Sequence, residues 1–393
     1  MKSKQAKSNI LFLPKYPRMG ASSRLRTYQY LDLWKEAGFG TMVSPFFNEA
    51  YLKQVYSHQK PALWNVLQCY FRRFFVLFSA FRYDFIWVEK ELFPFLPAWG
   101  ERFLRAAGLR LLLDYDDAVF HNYDQSPRPL VRALLSNKID QAMRAAACVF
   151  VGNEYLAERA RKAGAQRISF LRTVVDQEKY SWSPRQQEAP VAKAGIVRGA
   201  EDDSLPRQKD LPTIGWIGSP STLKYLSLMS KALADVYQKV PFRFVLVNSE
   251  TAKYRNLLHL PEGVVEHLVW SEDEEVSQLH RMDIGIMPLP DDPWERGKCA
   301  YKLIQYMACG LPVVASPVGM NKELVCHGRN GFLAQSDKDW EESLLQLLEN
   351  PEIRQAMGKE GKGLIARDYT LTGNFQRIKK ELEELEFLIP GDQ

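Results

Sequence analysis

The chain has 393 residues, of which 46% are hydrophobic and 25% are charged, and its formal net charge is +5. This is the composition of a globular protein with room for two domains of ~150 residues each. The weak positive charge suits an anionic ligand or an anionic membrane surface, and it does not argue for nucleic acid.

The five cysteines are scattered and form no CxxC pair, which argues against a disulfide framework and a zinc site and suits a reducing compartment. The basic first residues lack the apolar core of a signal peptide. The longest apolar run, 62–81, is interrupted by Arg72 and Arg73, so it falls short of the ~20 residues of a membrane span. We therefore expect a cytoplasmic protein without a membrane span.

Short apolar runs alternate with helical patterns in two sets. The first set comprises residues 9–14, 85–89, 109–114, 148–152 and 168–171. The second set comprises residues 213–218, 242–247, 284–289 and 312–316. Such runs are typical of strands buried on both faces, with helices as parallel crossovers. The sequence predicts an α/β fold of two doubly wound, Rossmann-like domains facing a cleft, with ligands beyond the carboxyl ends of the strands.

The predicted domain boundaries follow a change in composition. Residues 1–182 form the first domain and residues 213–372 the second. Between them, residues 183–212 are polar, carry four prolines and lack a sustained period, which indicates a linker. A charged amphipathic helix is predicted over 373–390, with Thr372 or Asn374 as its N-cap.

The first candidate loop, KYPRMGASSRLR at 15–26, follows the first predicted strand. It contains Gly20 and Arg24, which can face donor phosphates or an acceptor. A helix that is N-capped at Ser22 or Ser23 is the structural alternative, and the two interpretations are compatible.

Residues 64–87 interleave tryptophan, phenylalanine and tyrosine with arginine. A basic aromatic helix of this kind can lie on a membrane surface and reach a lipid-linked acceptor. The same composition fits a buried crossover helix with two exposed arginines, and both interpretations stay open. A nucleic-acid site is disfavoured, because neither a basic groove nor an RNA-binding motif accompanies the run.

An acidic cluster follows the predicted strand at 109–114, in LLLDYDDAVFHNYD. Asp116 and Asp117 are candidate ligand-binding residues of this cluster. A D-x-D pattern can also hold a divalent metal on a diphosphate, but lysines and backbone N–H groups neutralise phosphates as well, and we expect no metal. His121 can hydrogen-bond the transferred sugar or the acceptor, or it can be an inert loop histidine.

GWIGSPSTLKYL at 215–226 reads as a strand, a small-residue turn and a helix. Gly218 lets the backbone approach a ligand, Ser219 and Thr222 offer hydroxyls, and Lys224 offers a cation. These groups can stabilise the charge on a leaving nucleoside diphosphate. The structural alternative is an ordinary βα turn with a capping hydroxyl.

Residues 297–316, GKCAYKLIQYMACGLPVVAS, predict a helix over 298–309, a stop at Gly310 and a buried strand. Free N–H groups near Gly297–Ala300, with Lys298, can bind phosphate. Gln305 lies about two turns into the helix, where its amide can reach a ribose. The alternative is a packing helix with a solvated polar face.

Residues 283–334 resemble the donor-binding domain of GT-B glycosyltransferases of family 4, whose pattern runs E-x7-E followed by A-M-A-C-G-x-P-V-V-A-S. Three weaker resemblances are found elsewhere. FLRTVVDQEKY at 170–180 keeps Asp176 and Tyr180 of the interdomain motif. Residues 8–26 resemble the first strand and glycine loop of the acceptor domain, and residues 214–225 resemble the first strand and phosphate loop of the donor domain. The D-D-A of the acidic cluster is similar to a cleft-lining motif in some of these enzymes, which implies that Asp116 and Asp117 line the cleft on the acceptor side. The resemblance covers most of the chain, thinly in its first half.

The resemblance implies specific roles. In the family the first glutamate contacts sugar hydroxyls and the second holds the ribose; here Gly297 and Gln305 stand at these positions. Glu295 is therefore the first candidate substitute for the sugar contact, with Asp291 and Asp292 as the other candidates. Gln305→Glu is expected to keep or improve donor binding. Trp270 stands where the family places the base. The final helix is expected to pack back on the first domain.

The function implied is transfer of a sugar, with retention and without a metal, from a UDP- or GDP-sugar to a hydroxyl of a glycan or lipid-linked acceptor in cell-surface polysaccharide or glycoconjugate synthesis. Peripheral contact with the inner membrane surface is a further expectation. The alternatives are a non-catalytic nucleotide-sugar-binding scaffold and a GT-B-fold epimerase or phosphorylase. A dehydrogenase is disfavoured, because no GxGxxG motif opens either domain.

Overall fold

A computed structural model describes residues 8–57, 59–181, 211–249 and 257–387. The predicted linker residues 183–210 and the predicted helix residues 388–390 lie outside the described part. Two compact units divide the chain. The first unit comprises Met1–Val174, Asp292–Cys299 and Leu371–Gln393, and the second comprises Val175–Asp291 and Ala300–Thr370. The segment Asp292–Cys299 was expected within the second domain but belongs to the first unit.

Each unit contains one parallel sheet of six strands. The strands of the first unit are β1 (Asn9–Leu13), β2 (Gly40–Val43), β3 (Phe85–Glu89), β4 (Arg110–Tyr115), β5 (Cys148–Val151) and β6 (Ile168–Phe170). Those of the second are β7 (Thr213–Ile217), β8 (Arg243–Asn248), β9 (Val265–Val269), β10 (Ile284–Met287), β11 (Val313–Ala315) and β12 (Gly331–Leu333).

The helices are mostly short. Those before the second sheet are α1 (Ala21–Arg26), α2 (Leu31–Glu36), α3 (Glu49–Tyr56), α4 (Leu63–Phe78), α5 (Trp99–Ala106), α6 (His121–Asp124), α7 (Pro129–Leu135), α8 (Lys138–Ala145), α9 (Glu154–Ala163) and α10 (Gln177–Ser181). The others are α11 (Ser230–Lys239), α12 (Glu275–Leu279), α13 (Pro293–Arg296), α14 (Tyr301–Ala308), α15 (Asn321–Leu324), α16 (Asp337–Glu349), α17 (Pro351–Asp368) and α18 (Leu371–Phe387). Segments Tyr28–Tyr30, Ala80–Arg82 and Pro220–Met229 are 3₁₀ helices.

The first sheet has the order β2-β1-β3-β4-β5-β6 and the second β12-β11-β10-β7-β8-β9. The expected α/β class with two doubly wound sheets is thus confirmed. In such a sheet the strand order reverses at one point, and ligands bind beyond the carboxyl ends of the strands there. These switch points lie between β1 and β3 in the first sheet and between β7 and β10 in the second.

Burial explains which strands the sequence revealed. Strands β3, β5, β7, β10 and β11 are buried along their whole length, so they read as continuous apolar runs. Strand β2 is at the sheet edge, and none of its four residues is fully buried. Its GTMV sequence was accordingly missed.

The final helix α18 belongs to the first unit. The ring of Phe375 packs edge-on against Trp34, with ring centroids 4.7 Å apart. Asn374 Nδ2 donates to the hydroxyl of Tyr30 and to the carbonyl of Arg172, so this residue ties α18 to the 3₁₀ helix Tyr28–Tyr30 and to the loop after β6 rather than starting the helix as a cap. Among the described residues no helix is long and apolar enough to cross a membrane.

Candidate functional site

In the second unit, Gly218 directly follows β7 at the switch point. Its N–H donates to the carbonyl of Val247, and its carbonyl accepts from Asn248 Nδ2 at 2.9 Å. A Cβ atom here would lie 2.5 Å from the Trp216 ring and 2.8 Å from Cε of Lys302. Only glycine therefore fits between these side chains, and its backbone can approach a ligand closely.

The residues after Gly218 form a hydroxyl-rich turn. The Ser219 and Thr222 hydroxyl oxygens lie 3.4 Å apart, and the Thr222 N–H and hydroxyl both donate to the Ser219 carbonyl at 3.0 Å. The chain continues as the 3₁₀ helix Pro220–Met229, whereas the sequence predicted that an α-helix follows the turn. Lys224 is exposed on this 3₁₀ helix, with its ammonium 5.2 Å from the ring centroid of Tyr225.

Lys302, in the first turn of α14, is a candidate that the sequence prediction did not select. Its ammonium lies 5.4 Å from the ring centroid of Trp216, a distance typical of a cation–π contact, and its aliphatic chain lies beside Gly218. The signal was its place on the polar face of the predicted helix. A lysine and a glycine turn at a switch point are suited to a diphosphate.

The helix predicted over 298–309 begins later than expected. Helix α14 starts at Tyr301, and Ala300 adopts a left-handed conformation with φ 52° before it. Lys298 precedes this turn, and its ammonium lies 4.0 Å from Asp117 within the first unit. Gly297 and Lys298 therefore do not form the N-terminus of α14, which corrects the phosphate-binding geometry expected for them.

Gly297 is held closely against the loop after β4. A Cβ atom on Gly297 would lie 2.6 Å from Cβ of Ala118 and 2.7 Å from its backbone nitrogen. A real Cβ atom essentially never comes this close to a non-bonded atom, so a glutamate cannot replace Gly297 without a shift of the surrounding backbone. The missing first glutamate thus has a steric cause.

Gln305 and Trp270, the expected ribose and base contacts, belong to one hydrogen-bond network. Gln305 Nε2 donates to the hydroxyl of Tyr180 at 2.9 Å, and this hydroxyl donates to Glu275 Oε1 at 2.7 Å. Trp270 Nε1 donates to the other carboxylate oxygen of Glu275 at 2.9 Å. Burial raises the pKa of Tyr180 well above its ordinary value, so the phenol keeps its proton.

This network changes the interpretation of Gln305. Since the proton of Tyr180 is directed at Glu275, the phenol oxygen accepts a hydrogen bond from residue 305. A glutamine amide donates such a bond, whereas a carboxylate is an acceptor only. The expectation that Gln305→Glu keeps or improves donor binding is therefore at odds with the geometry.

In the first unit, a charged cluster lies at the ends of β3 and β4. The Lys90 ammonium is 3.0 Å from both Asp116 Oδ1 and Asp117 Oδ2. The hydroxyl of Ser22 lies within hydrogen-bond distance of Asp116 Oδ2 and, at 3.1 Å, of Glu89 Oε1. Lys90 has φ 66°, a left-handed conformation uncommon outside glycine. The expected acceptor residues Asp116 and Asp117 are thus joined to Glu89 and Lys90, two charged residues at the end of the FIWVEK run that the prediction omitted.

The protonation of this cluster follows from its burial and its neighbours. Burial raises the pKa of Glu89 to about 7. Burial opposes the charged form of Asp116 as well, but Lys90 and Arg26 hold the pKa of Asp116 below its ordinary value. Asp116 and Asp117, with a smaller contribution from Glu89, hold the pKa of Lys90 well above its ordinary value despite burial.

Helix α1 connects the loop after β1 to this cluster. The expected caps Ser22 and Ser23 are wrong: the helix begins after Gly20, which has no capping side chain, and Ser23 Oγ accepts from the Tyr16 N–H. A Cβ atom on Gly20 would lie 2.5 Å from Cβ of Tyr16. Arg24 of this helix is buried.

Asp114 and Asp124, also in the acidic cluster, are paired with arginines. Arg26 Nε donates to Asp114 Oδ2 at 3.0 Å, and the Arg159 guanidinium lies 2.9 Å from Asp124. Across the described ranges, no group of three or more histidine, cysteine or acidic residues is placed to hold a metal. The D-x-D sequence here forms ion pairs.

His121 and Glu295, the expected catalytic residues, lie in the first unit. His121 Nδ1 is 2.8 Å from Asp124 Oδ1, and Nε2 is 2.8 Å from the hydroxyl of Tyr155. A substrate contact by His121 would have to replace one of these bonds. The Glu295 side chain is buried, and its carbonyl accepts from the N–H of Lys298.

Residues 197–364 match the model of the family Glycosyl transferases group 1. The chain therefore carries a domain of the glycosyl transferases group 1 family in its second half. It is 22% identical over 296 residues to an uncharacterized glycosyltransferase of Methanocaldococcus jannaschii, covering 73% of this chain and 78% of that relative.

Two solved structures share the fold over nearly the whole glycosyltransferase. Sucrose-phosphate synthase from Thermosynechococcus elongatus superposes with a TM-score of 0.69 at 15% identity, covering 98% of this chain and all of that one. HepE from Anabaena, solved in complex with UDP and glucose, superposes with a TM-score of 0.69 at 18% identity, covering 96% of this chain and all of HepE.

Proposed function

We propose that this glycosyltransferase moves a sugar from a UDP-sugar to a hydroxyl of a glycan or lipid-linked acceptor, with retention and without a metal ion. The GDP-sugars expected alongside UDP-sugars are the second choice, because a structural neighbour was solved with UDP and glucose. The proposed setting is synthesis of cell-surface polysaccharide or glycoconjugate on the cytoplasmic side of the membrane.

The observation that carries the proposal is the Gly218 turn with Lys302 beside it at the switch point of the second sheet. In glycosyl transfer the bond between the sugar and the diphosphate breaks, and negative charge develops on the leaving UDP. Positioned N–H groups, hydroxyls and ammonium groups stabilise that charge in the transition state. We assign this work to the turn from Gly218 to Thr222, with Lys224 and Lys302.

The proposed acceptor side lies in the first unit. Asp116 and Asp117 belong to the charged cluster, and Gly20 and Arg24 flank Ser22, whose hydroxyl reaches that cluster. His121 and Glu295 remain the proposed contacts of the transferred sugar.

Calorimetric titration with UDP and with uridine tests the donor assignment. Lys302→Ala and Lys224→Ala should each weaken UDP binding about tenfold, equivalent to ~1.4 kcal/mol, and leave uridine binding nearly unchanged. The reason is that each lysine contacts the diphosphate and not the nucleoside. Lys359→Ala, which removes an exposed lysine from α17 in the same unit, is the matched control and should bind both ligands like the wild type.

Two results would contradict the assignment. If the wild type bound neither UDP nor GDP, the proposed UDP- or GDP-sugar donor would be wrong. Equal UDP affinity for Lys302→Ala, Lys224→Ala and Lys359→Ala would remove the phosphate role of this turn. Chromatography that monitors the release of UDP from UDP-glucose then measures the chemical step separately from binding.

A further inference from the structure

Helix α4 presents its apolar face to solvent. The exposed residues of this face follow helical spacing and are Leu63, Trp64, Leu67, Phe71, Phe74, Phe75 and Phe78. Phe75 and Phe78 are 66% and 65% exposed. A helix on the surface of a globular protein ordinarily turns this face inward. The reversed orientation therefore needs a physical reason.

Arg73 fixes the orientation of α4. Its side chain is 1% exposed, and its guanidinium donates to the carbonyls of Pro14 at 3.2 Å and Ser44 at 3.1 Å. These carbonyls follow β1 and β2, so the arginine ties the helix to the ends of two strands. Rotating α4 to bury its aromatic rings would expose Arg73 and break these bonds.

Neighbouring elements extend the apolar face. Phe95 and Leu96 are exposed in the loop after β3, and Trp99 and Phe103 are exposed on α5. The Tyr70 hydroxyl of α4 donates to the carbonyl of Pro94 in this loop. In the same loop, the Phe95 N–H donates to the hydroxyl of Tyr123 in α6 at 3.0 Å. We call α4, residues 94–103 and the exposed Leu130 and Leu134 of α7 the aromatic surface.

The exposed charged side chains of helices α4, α5 and α7 all have the same sign. The exposed charged residues of helices α4, α5 and α7, all of them fully described, are Arg72, Arg102, Arg105 and Arg132. The only acid of these helices, Glu101 of α5, is 0% exposed and accepts from the backbone N–H of Leu92. An exposed apolar face flanked by arginines is complementary to a partner that offers apolar groups beside negatively charged ones.

We propose that the aromatic surface docks this glycosyltransferase on an anionic phospholipid bilayer. Tryptophan and phenylalanine rings enter the boundary between headgroups and acyl chains, while arginines stay at the headgroups and attract anionic lipids. Docking is peripheral. A symmetric pairing of two copies through this surface would bring arginines against arginines and is disfavoured by their repulsion.

Vesicle co-sedimentation tests the proposal and needs neither donor nor acceptor, so its outcome is independent of the proposed reaction. The wild type should bind vesicles containing phosphatidylglycerol more tightly than vesicles of phosphatidylcholine alone, and high salt should weaken binding. The variant Trp64→Ser/Phe71→Ser/Phe75→Ser/Phe78→Ser should bind at least about tenfold more weakly. Arg102→Glu/Arg105→Glu should lose the preference for anionic lipid.

Phe170→Ser is the matched control, since it removes a 44% exposed phenylalanine from β6 away from the aromatic surface. It should bind vesicles like the wild type, and thermal unfolding should show that all variants are folded. Equal vesicle binding by the fourfold serine variant and the wild type overturns the proposal. Failure of the wild type to bind vesicles also overturns it. In that case, light scattering that shows a wild-type dimer and a monomeric fourfold variant would identify a second copy of the chain as the partner of this surface.

Discussion

At the residue scale, the direction of one hydrogen bond decides why glutamine stands at position 305. Tyr180 directs its proton to Glu275, so its oxygen is left to accept from Gln305 Nε2. Gln305 is 3% exposed, so water cannot readily replace a lost donor. The glutamine complements a tyrosine–glutamate pair that lies elsewhere in the sequence.

We expect Gln305→Glu to lower the free energy of unfolding by about 1–3 kcal/mol at neutral pH, because it removes a buried donor and adds a carboxylate near Glu275. Burial raises the pKa of a carboxyl introduced here, and its protonated form can donate to Tyr180 again. The loss should therefore shrink as the pH falls. Urea denaturation at neutral and mildly acidic pH measures both effects.

Gln346→Glu is the control for this prediction, since it makes the same chemical change at an exposed position of α16. Its effect should stay within about 0.5 kcal/mol. A Gln305→Glu variant as stable as the wild type at neutral pH would show that the amide donor is not needed.

At the scale of elements, the segment Asp292–Cys299 depends on small residues where it meets the loops after β4 and β5. Asn153 Nδ2 donates to the carbonyl of Lys298 at 3.0 Å, and Cys299 Sγ donates to the carbonyl of Asp116 at 3.2 Å. A Cβ atom on Gly152 would lie 2.1 Å from Cys299 Sγ. A Cβ atom on Gly297 would lie 2.6 Å from Cβ of Ala118, so the segment and the loops fit together only without side chains at both glycines.

Gly297→Ala should destabilise the protein by about 1–3 kcal/mol, the usual cost of inserting a methyl group into a packed site. Gly363→Ala is the matched control, because a Cβ atom there has no neighbour within 4 Å on helix α17. It should leave stability unchanged or raise it by up to about 1 kcal/mol, as alanine favours a helix over glycine. Thermal or chemical denaturation that ranks the two variants equally would refute the close contact.

At the scale of the whole molecule, the charged cluster makes stability depend on pH. The folded chain raises the pKa of Glu89 from an ordinary 4.5 to about 7, so the folded state binds this proton more tightly than the unfolded chain. The contribution of Glu89 is therefore fully present below the unfolded pKa. It is lost as the pH rises through the folded pKa.

We expect Glu89→Gln to gain stability relative to the wild type as the pH rises from about 4.5 to about 7, by up to about 3 kcal/mol. The amide cannot ionise, so the cost of a buried charge disappears. Denaturation curves of both proteins across this pH range give the difference. Glu262→Gln, at an exposed position, should show a flat difference, and a flat difference for Glu89→Gln would contradict the raised pKa.

The sequence by itself determined the fold, because strands buried on both faces must be continuously apolar and their helices must recross the sheet. Strands β3, β7 and β10 were visible for this reason, whereas the edge strand β2 was not. The sequence also placed Gly218 at the end of a strand and Gly310 after a helix, because the backbone conformation at the end of an element depends on residues close in the chain.

Only the tertiary structure decided the chemistry of the candidate sites, because hydrogen bonds and close contacts join residues far apart in the chain. Gln305 meets a tyrosine 125 positions away, and the start of α14 follows from a left-handed turn at Ala300 that residue type does not announce. The outward face of α4 has the same origin: the helical period shows that an apolar face exists, while the buried bonds of Arg73 decide where it points.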